Sequence, residues 1–337
     1  MSAKPVQTLE DIARLAHVSR STVSRALSDS PLLSQKTKER IQAIAREHHF
    51  RINVSARNLR LRNSRTVAFV APMYSPSFLS TEDVFGLEML GGIGSGLRVL
   101  GYDCLIIQSD PHDATWAHDY LDSGRVDGFI LLASNLKPSH IQTLVENEAP
   151  FIVWGAPVAP FDYCTVTGDN SAGGRQATEH LIRTGRQQIA FLGGPEASVT
   201  IRKRFNGYAQ TLQDAGRNVD PALVVYGDYS YASGIAATQR LIDQSPDLDA
   251  VFVTSDLMAV GAINAIQASG RRVPDDIAVV GYDDLSIASY TTLPLTTIRQ
   301  NIPLAGKLLA QNLIQRIETG LVTHVTVPTE LVIRKSA

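Results

Sequence analysis

Four polar side chains near the amino terminus have the types and spacing that recognise a polyanion or the edge of a base. Arg20, Ser21 and Thr22 are consecutive, and Arg25 follows them on the same side of a helix. The guanidinium group of arginine is a planar fork of donors that matches the O6 and N7 acceptors of guanine. We therefore predict base-edge contacts from Arg20 and Arg25, with contacts to phosphate or water alone as the alternative.

Two carboxylates follow apolar segments in the long remainder of the chain. Asp283 comes directly after IAVVGY, and Asp256 comes after VFVTS. The carboxyl end of a parallel strand is where open α/β sheets bind ligands, and an exposed carboxylate there can accept two sugar hydroxyls. Asp283 is therefore a predicted ligand-binding residue. For Asp256, a ligand contact competes with capping of the next helix, and capping is slightly favoured.

The residues around Arg20 have the pattern of a helix-turn-helix. LEDIARLA places its apolar residues on one helical face, the HVS segment interrupts that pattern, and a second helix is predicted from Arg20 to about Ser28. The second helix of this motif lies in the major groove, and its first residues meet base edges. A third helix is predicted from about Lys36 to His48. The residues predicted to contact phosphates or to cap helices are Thr8, Ser19, Ser24, Ser34 and Thr37.

Charge is divided unevenly along the 337 residues. Residues 1–65 carry thirteen basic and five acidic side chains, a formal charge of +8, whereas the remainder carries 18 basic and 28 acidic side chains, a charge of −10. A basic head on an acidic body is typical of a nucleic-acid-binding module joined to a soluble domain. Cys104 and Cys164 lie in apolar segments and are predicted to be buried free thiols.

Short β-branched segments alternate with helical segments from Thr66 onward, which predicts parallel α/β sheets. The predicted strands are TVAFVA, DCLIIQ, DGFILLA, PFIVWG, QIAFLGG, ALVVYG, DAVFVTSD and IAVVGYDD. An Asp169-Asn170 pair before SAGGRQATEHL is interpreted as a helix cap. The GGIGSG segment at 91–96 lacks the spacing of a dinucleotide-binding loop, so its glycines are expected to loosen or closely pack a helix.

The segment TLEDIARLAHVSRSTVSRAL resembles, without gaps, the signature of the lactose-repressor (LacI/GalR) family. The resemblance continues through LSQKTKERIQAIAREHHFRINVSARNLR, where Phe50 replaces the usual Tyr and Ile52 the usual Pro, and extends at intervals over nearly the whole chain. It implies an α/β protein with an all-α head (1–52), a hinge helix and linker (53–65), and a two-lobed body like periplasmic binding proteins (66–337). The first lobe is expected at about 66–165 and 296–326, and the second at about 166–294 and 327–337.

The resemblance also implies roles for the hinge segment NVSARNLR, for which a flexible linker is the alternative. Leu59 would wedge between central base pairs in the minor groove, because an apolar wedge kinks DNA and lets the protein cover more of the duplex. Asn53 and Ala56 match neighbouring hinge positions, and Arg57 would supply a phosphate attraction that depends on salt.

The body has matching effector positions and one clear departure. Arg202 matches the family's effector-binding arginine, with Arg204 as a competitor whose alternative role is a salt bridge on the helix. Tyr229 matches a stacking position, although a core tyrosine is nearly as well supported. After the first strand, APMYSPSFLSTEDVFGLEML replaces the family's aspartate-containing loop and Met73 takes the aspartate position. The pocket-lining matches in this loop are Tyr74, Ser75 and Phe78.

Together these features predict a homodimeric repressor of a pseudo-palindromic operator, controlled by a small-molecule effector. A sugar or glycoside is the expected effector, with a nucleobase or another small polar metabolite as the alternative, and the choice between inducer and corepressor stays open. Leu132 stands where some sugar-binding members have a polar residue. No catalytic, cofactor or metal motif is recognised, so an enzyme is not expected. A transport receptor is disfavoured by the +8 head and by an N-terminus unlike a signal peptide, and we expect a cytoplasmic protein.

Overall fold

The computed structural model describes residues 8–50, 63–72, 83–109, 115–132 and 138–337. By its internal contacts the chain divides into two compact units, Met1–Ser64 and Arg65–Ala337. Within the described ranges, no helix is long and apolar enough to cross a bilayer.

The described part of the first unit consists of helices packed around a small apolar core. These helices are α1 (Leu9–Ala16), α2 (Arg20–Leu27) and α3 (Gln35–Glu47). Ile12 of α1, Val23 and Ala26 of α2, and Ile41 of α3 are fully buried against one another. The predicted helix-turn-helix and third helix are therefore confirmed, and the inward side of α2 leaves Arg20 and Arg25 on its outer side.

The second unit contains two lobes, each built on a six-stranded sheet. The first sheet has the order β11-β5-β4-β3-β1-β2, and every neighbouring pair in it is parallel. Its strands are β1 (Thr66–Pro72), β2 (Asp103–Ser109), β3 (Gly128–Leu132), β4 (Phe151–Trp154), β5 (Cys164–Gly168) and β11 (His324–Val327). The helices of this lobe are α4 (Val84–Leu100), α5 (Trp116–Asp122), α6 (Pro138–Glu146) and α12 (Ile302–Thr319). Separate apolar clusters pack α4 with α12 on one face and α5 with α6 on the other.

The second lobe repeats this layering. Its sheet has the order β12-β10-β9-β8-β6-β7. The strands are β6 (Ile189–Gly193), β7 (Val224–Tyr226), β8 (Ala250–Val253), β9 (Ala278–Asp283), β10 (Thr296–Arg299) and β12 (Glu330–Val332). The helices are α7 (Asn170–Arg183), α8 (Val199–Asp214), α9 (Tyr231–Gln244), α10 (Asp256–Ala268) and α11 (Ser286–Tyr290). All eight predicted strands are present, whereas β12, the edge strand, runs antiparallel to β10.

Three crossovers connect the lobes, after β5, after β10 and after β11. The first and third touch, because the backbone N–H of Asp169 donates to the carbonyl of Val327 at 2.9 Å. The crossing predicted near 296 falls after Arg299, since Thr296–Arg299 pairs with β9 in the second sheet.

Glycines of α4 permit a close helix pair. Gly92 and Gly96 face α12, and a Cβ on Gly306 of α12 would lie 2.5 Å from the backbone nitrogen of Ile93. The close-packing interpretation of GGIGSG is therefore confirmed for two of its glycines. Both cysteines are free and Cys164 is buried, but the predicted burial of Cys104 is wrong. Cys104 lies on β2, an edge strand of the sheet, where its side chain is exposed.

Candidate DNA-binding and effector sites

Helix α2 presents its first turn to solvent. Ser19 is the N-cap residue, and its hydroxyl accepts a hydrogen bond from the backbone N–H of Thr22 at 3.2 Å. The same hydroxyl lies 2.8 Å from the Ser21 hydroxyl. Arg20 and Arg25 are exposed. Because the buried side of α2 is apolar, this polar first turn is available for recognition.

The other head hydroxyls also act at helix ends. Thr8 and Asp11 form a reciprocal capping box at α1, in which the Thr8 hydroxyl accepts from the Asp11 N–H at 3.2 Å and the Thr8 N–H donates to the Asp11 carboxylate at 3.1 Å. Ser34 caps α3 by accepting from the Thr37 N–H at 3.3 Å. The capping half of the prediction is confirmed for Thr8, Ser19 and Ser34, and phosphate contacts from these residues stay a prediction. The hinge residues Asn53, Ala56, Arg57 and Leu59 lie outside the described residues.

The second lobe gathers charged and aromatic side chains at the carboxyl end of its sheet, with Asp283 at their centre. Asp283 ends β9 with a φ of 117° and is 6% exposed, so it is less accessible than the exposed carboxylate predicted from the sequence. Its Oδ1 accepts from Nε2 of Gln300 at 2.6 Å. Burial raises the pKa of Asp283 to about 7, against the opposing effects of the Arg204 guanidinium, the Gln300 hydrogen bond and the backbone N–H of Asp256. Asp283 can therefore change charge near neutral pH.

Arg204 and Arg202 differ sharply in their surroundings. Arg204 is 5% exposed, and its guanidinium donates to Oδ1 of Asn170 at 2.9 Å and to the carbonyl of Thr254 at 2.7 Å. Its Cζ lies 3.6 Å from the ring centroid of Tyr282. The alternative of a salt bridge along the helix is therefore wrong for Arg204, because its partners come from other elements. Arg202 is exposed on the first turn of α8 and donates to the carbonyl of Ala197 at 3.5 Å.

Tyr229 lies next to this charged group. It has a φ of 72°, is half-buried, and packs its ring against Gly194 so closely that a Cβ there would overlap the ring. Burial raises the pKa of the Tyr229 phenol; Arg204 opposes the rise and Asp283 reinforces it. The structure thus brings Tyr229, Arg204 and Asp283 together, as an aromatic face beside a cation and a carboxylate.

Asp256 is a second buried carboxyl group close to Asp283. Ser255 occupies the N-cap position of α10, so the capping role predicted for Asp256 is wrong. The Asp256 side chain is fully buried, and its oxygens accept from the Leu285 N–H at 2.8 Å and from the Thr297 hydroxyl at 2.5 Å. Burial raises its pKa well above the ordinary value, and the nearby Asp283 adds to that rise. In this lobe arrangement its side chain is inaccessible to a ligand.

The first-lobe side of the cleft is described in part. Tyr74, Ser75 and Phe78 lie outside the described residues, and Leu132 is buried in the lobe's core. Trp154 ends β4, with its ring centroid 6.4 Å from that of Phe85. Leu285 of the second lobe packs into the same cluster. Trp154, which the sequence prediction did not single out, is 8% exposed and belongs to the apolar core of the first lobe.

Two amides hold the charged group in place: Gln300, which the sequence prediction missed, and Asn170, which it assigned only to a helix cap. Gln300, in the second crossover, binds Asp283, and its buried Oε1 lies against Gly168, the last residue of β5. Asn170 receives Arg204 and donates to the carbonyl of Gly168 at 2.9 Å. Asp169 caps α7 as predicted, by accepting from the Ala172 N–H at 3.0 Å. No local pattern marks Gln300, and the local pattern at Asn170 indicated only a cap, because the contacts of both amides join distant parts of the chain.

A helix-turn-helix head followed by a two-lobed α/β body defines a ligand-controlled DNA-binding regulator. Two family models match the chain: bacterial regulatory proteins of the lacI family over residues 8–53, and a periplasmic binding protein-like domain over residues 178–337. The transcriptional regulator CelR of Thermobifida fusca is 37% identical over 336 residues, covering 98% of each chain. The chain belongs to the lacI family and is a DNA-binding transcriptional repressor with an effector-binding body.

Solved structures agree with this assignment. A complex of the regulator CelR with cellobiose is 35% identical, covers 98% of this chain and 99% of its own, and has a TM-score of 0.75. The lac repressor dimer bound to operator and the anti-inducer ONPF is 29% identical, with 99% coverage of both chains and a TM-score of 0.83. The predicted family and fold class are confirmed.

Proposed function

We propose that the protein is a homodimeric repressor of a pseudo-palindromic operator and that a sugar or glycoside bound between the lobes controls its operator affinity. One head reads a half-site, so two copies are needed for a full site. The exposed Arg20 and Arg25 on the polar side of α2 support base recognition, and the solved lac repressor dimer on its operator supports the assembly. A repressor of this kind works beside the chromosome, in the cytoplasm, and needs no catalytic step.

The observation that carries the effector proposal is the group formed by Asp283, Arg204 and Tyr229. A carboxylate accepts hydroxyl protons in charge-assisted hydrogen bonds, and an aromatic ring covers the apolar face of a sugar. The exposed Arg202 supplies a second cation on the same lobe. One solved structure is a complex of the relative CelR with cellobiose. Cellobiose is therefore the first effector to test.

Control of the operator requires that the effector bind one lobe arrangement more tightly than the other. Asp283 is bound to Gln300, and Gln300 lies in the crossover between β10 and α12, so an effector on Asp283 acts directly beside a rotation point. A changed lobe angle would then alter the separation of the two hinge segments of the dimer.

The first experiment is selection of genomic DNA fragments by the purified protein, followed by sequencing of the retained DNA. Enrichment of one pseudo-palindrome supports the repressor proposal, whereas retention that is independent of sequence, with and without a metabolite extract, contradicts it. Release of the selected operator by cellobiose is then measured by fluorescence anisotropy. Tighter binding instead of release would assign a corepressor, and no response to cellobiose or to related glycosides would contradict a sugar effector.

Variants of the second lobe connect that response to the site. Asp283→Ala is expected to keep operator affinity nearly intact and to abolish the cellobiose response. Asp243→Ala is the matched control, because Asp243 is an exposed carboxylate of the same lobe that accepts from Gln239 at 2.9 Å. Thermal unfolding of both variants checks that the body is folded. A full response from Asp283→Ala would remove Asp283 from the site.

A further inference from the structure

A side chain of the first lobe reaches the second lobe away from the crossovers. Oε1 of Glu88, on α4, accepts a hydrogen bond from the backbone N–H of Ser286 at 2.8 Å. Ser286 is the first residue of α11, and the N-cap residue Leu285 makes no side-chain hydrogen bond to the helix. Glu88 therefore satisfies a free N–H of α11 from the opposite lobe.

The segment that Glu88 holds is the one that carries the effector group. Asp283 ends β9, and Leu285 is 2% exposed within the apolar core of the first lobe. Ala288 returns to the core of the second lobe. Residues 283–288 are thus bound alternately by the two lobes, so the position of Asp283 depends on the distance and angle between them.

Glu88 also acts on Asp283 electrostatically. The Glu88 carboxylate adds to the rise in the pKa of Asp283 that burial causes, whereas Arg204, Gln300 and the N–H of Asp256 each lower that pKa by more than Glu88 raises it. A charged group on one lobe therefore influences the ligand-binding carboxylate of the other. Rotation of the lobes that moved Glu88 away would remove this influence together with the hydrogen bond to Ser286.

We propose that Glu88 is a positioning residue that latches the first lobe to the Asp283–Ser286 segment and so stabilises one of the two lobe arrangements between which the effector selects. The hydrogen bond between Glu88 and Ser286 forms in the protein without DNA or effector. Its role in regulation rests on the proposed function. A hydrogen bond between a carboxylate and an amide at a partly exposed site shifts such an equilibrium by about threefold to tenfold.

The chain offers matched variants on both sides of this bond. Glu88→Ala removes the acceptor, whereas Glu88→Gln keeps an oxygen in its place. Ser286→Pro removes the donor, and it fits because proline is favoured at the first position of a helix and Leu285, with φ −66° and ψ 159°, already has the extended backbone that precedes proline. Ser286→Ala keeps the backbone N–H and is the control. Glu146→Ala, on α6, controls for loss of a first-lobe carboxylate.

Hydrogen exchange of the free protein, followed by mass spectrometry of the peptide that contains Ser286, tests the contact. Exchange of this amide is expected to accelerate at least threefold in Glu88→Ala, to change less in Glu88→Gln, and to stay at the wild-type rate in Glu146→Ala. Operator half-saturation without effector is expected to shift by about threefold to tenfold in Glu88→Ala and Ser286→Pro, and by less than twofold in Ser286→Ala.

If the Ser286 amide of Glu88→Ala exchanges at the wild-type rate, the contact between Glu88 and Ser286 is overturned. Faster exchange with unchanged half-saturation of operator and effector would overturn the latch. Equal shifts of half-saturation in Ser286→Ala and Ser286→Pro would also overturn it, because the backbone N–H of Ser286, which only the proline removes, would then not be the group responsible. If the wild-type protein binds its operator and responds to cellobiose while these variants change nothing, the latch fails and the proposed function stands. If the wild-type protein does neither, the proposed function fails whatever the exchange result.

Discussion

The pKa of Asp283 makes a quantitative prediction for effector binding. Burial raises that pKa to about 7, so half of the free protein carries a neutral Asp283 at this pH. Hydroxyl groups of a bound sugar donate to the ionised carboxylate and favour it, which lowers the pKa in the complex. Effector binding therefore releases about half a proton per site at pH 7 and a larger fraction at lower pH, so the apparent affinity falls as the pH falls.

The magnitude follows from the ionised fraction. With a pKa of about 7, roughly a tenth of the free protein is ionised at pH 6 and roughly nine tenths at pH 8, so binding should be about tenfold weaker at pH 6. Isothermal titration calorimetry at pH 6.5 in two buffers of different ionisation enthalpy should detect release of about 0.8 proton per effector bound.

Asp283→Asn is the control that isolates this group from the histidines. It is expected to bind the sugar weakly and with no change between pH 6 and pH 8, because its amide does not titrate. Equal wild-type affinity at both pH values, with no proton released, would refute the assignment of an ionised Asp283 as the hydroxyl acceptor.

Four other outcomes are expected. The free energy of unfolding should fall as pH rises from about 4 to about 7, because in that window native Asp283 holds a proton that the unfolded chain has lost. Asp283→Asn should reduce this slope in urea titrations and leave the part that is due to Asp256, whose pKa is also raised. Arg20→Ala should weaken operator binding by about 1–3 kcal/mol and relax specificity at one base pair, measured with operator variants; equal loss on all sequences would indicate phosphate contact only. Leu59→Ala should weaken specific binding far more than non-specific binding, and equal losses would exclude the wedge. Gly306→Val should destabilise the body by about 1–3 kcal/mol or more through overlap with Ile93, seen in thermal unfolding.

Local patterns predicted the head almost completely. Helices α1, α2 and α3 depend on caps and apolar spacing within a few residues, and Ser19, Val23 and Ala26 occupy the places those rules assign. The eight predicted strands were equally local, since each is a short β-branched segment. Local rules do not predict the pairing of strand β12, because its antiparallel contact with β10 depends on where the chain returns from the first lobe.

The group formed by Asp283, Arg204 and Tyr229 was only partly predictable for a physical reason. Asp283 was found because its strand is recognisable, but its burial depends on Gln300, which is contributed by a crossover. Asp256 was wrongly predicted to be a cap because an aspartate at the start of a helix usually accepts hydrogen bonds from that helix. Its carboxylate instead accepts from the Leu285 N–H and the Thr297 hydroxyl, which lie far away in the sequence. A sequence specifies which groups are polar, whereas the burial that sets their charge state depends on several segments at once.

The latch at Glu88 also offers a way to decide between an inducer and a corepressor. Loss of the bond to Ser286 shifts the free-energy difference between the two lobe arrangements by a fixed amount against the latched one. This amount is the same whichever ligand binds the latched arrangement more tightly. If effector and operator prefer opposite arrangements, Glu88→Ala must raise the affinity for one and lower it for the other. If both prefer the same arrangement, the two affinities must move in the same direction, because linkage requires each ligand to follow the population of the state it selects. Half-saturation of operator and of cellobiose, each measured without the other ligand, therefore gives the sign of regulation from one variant.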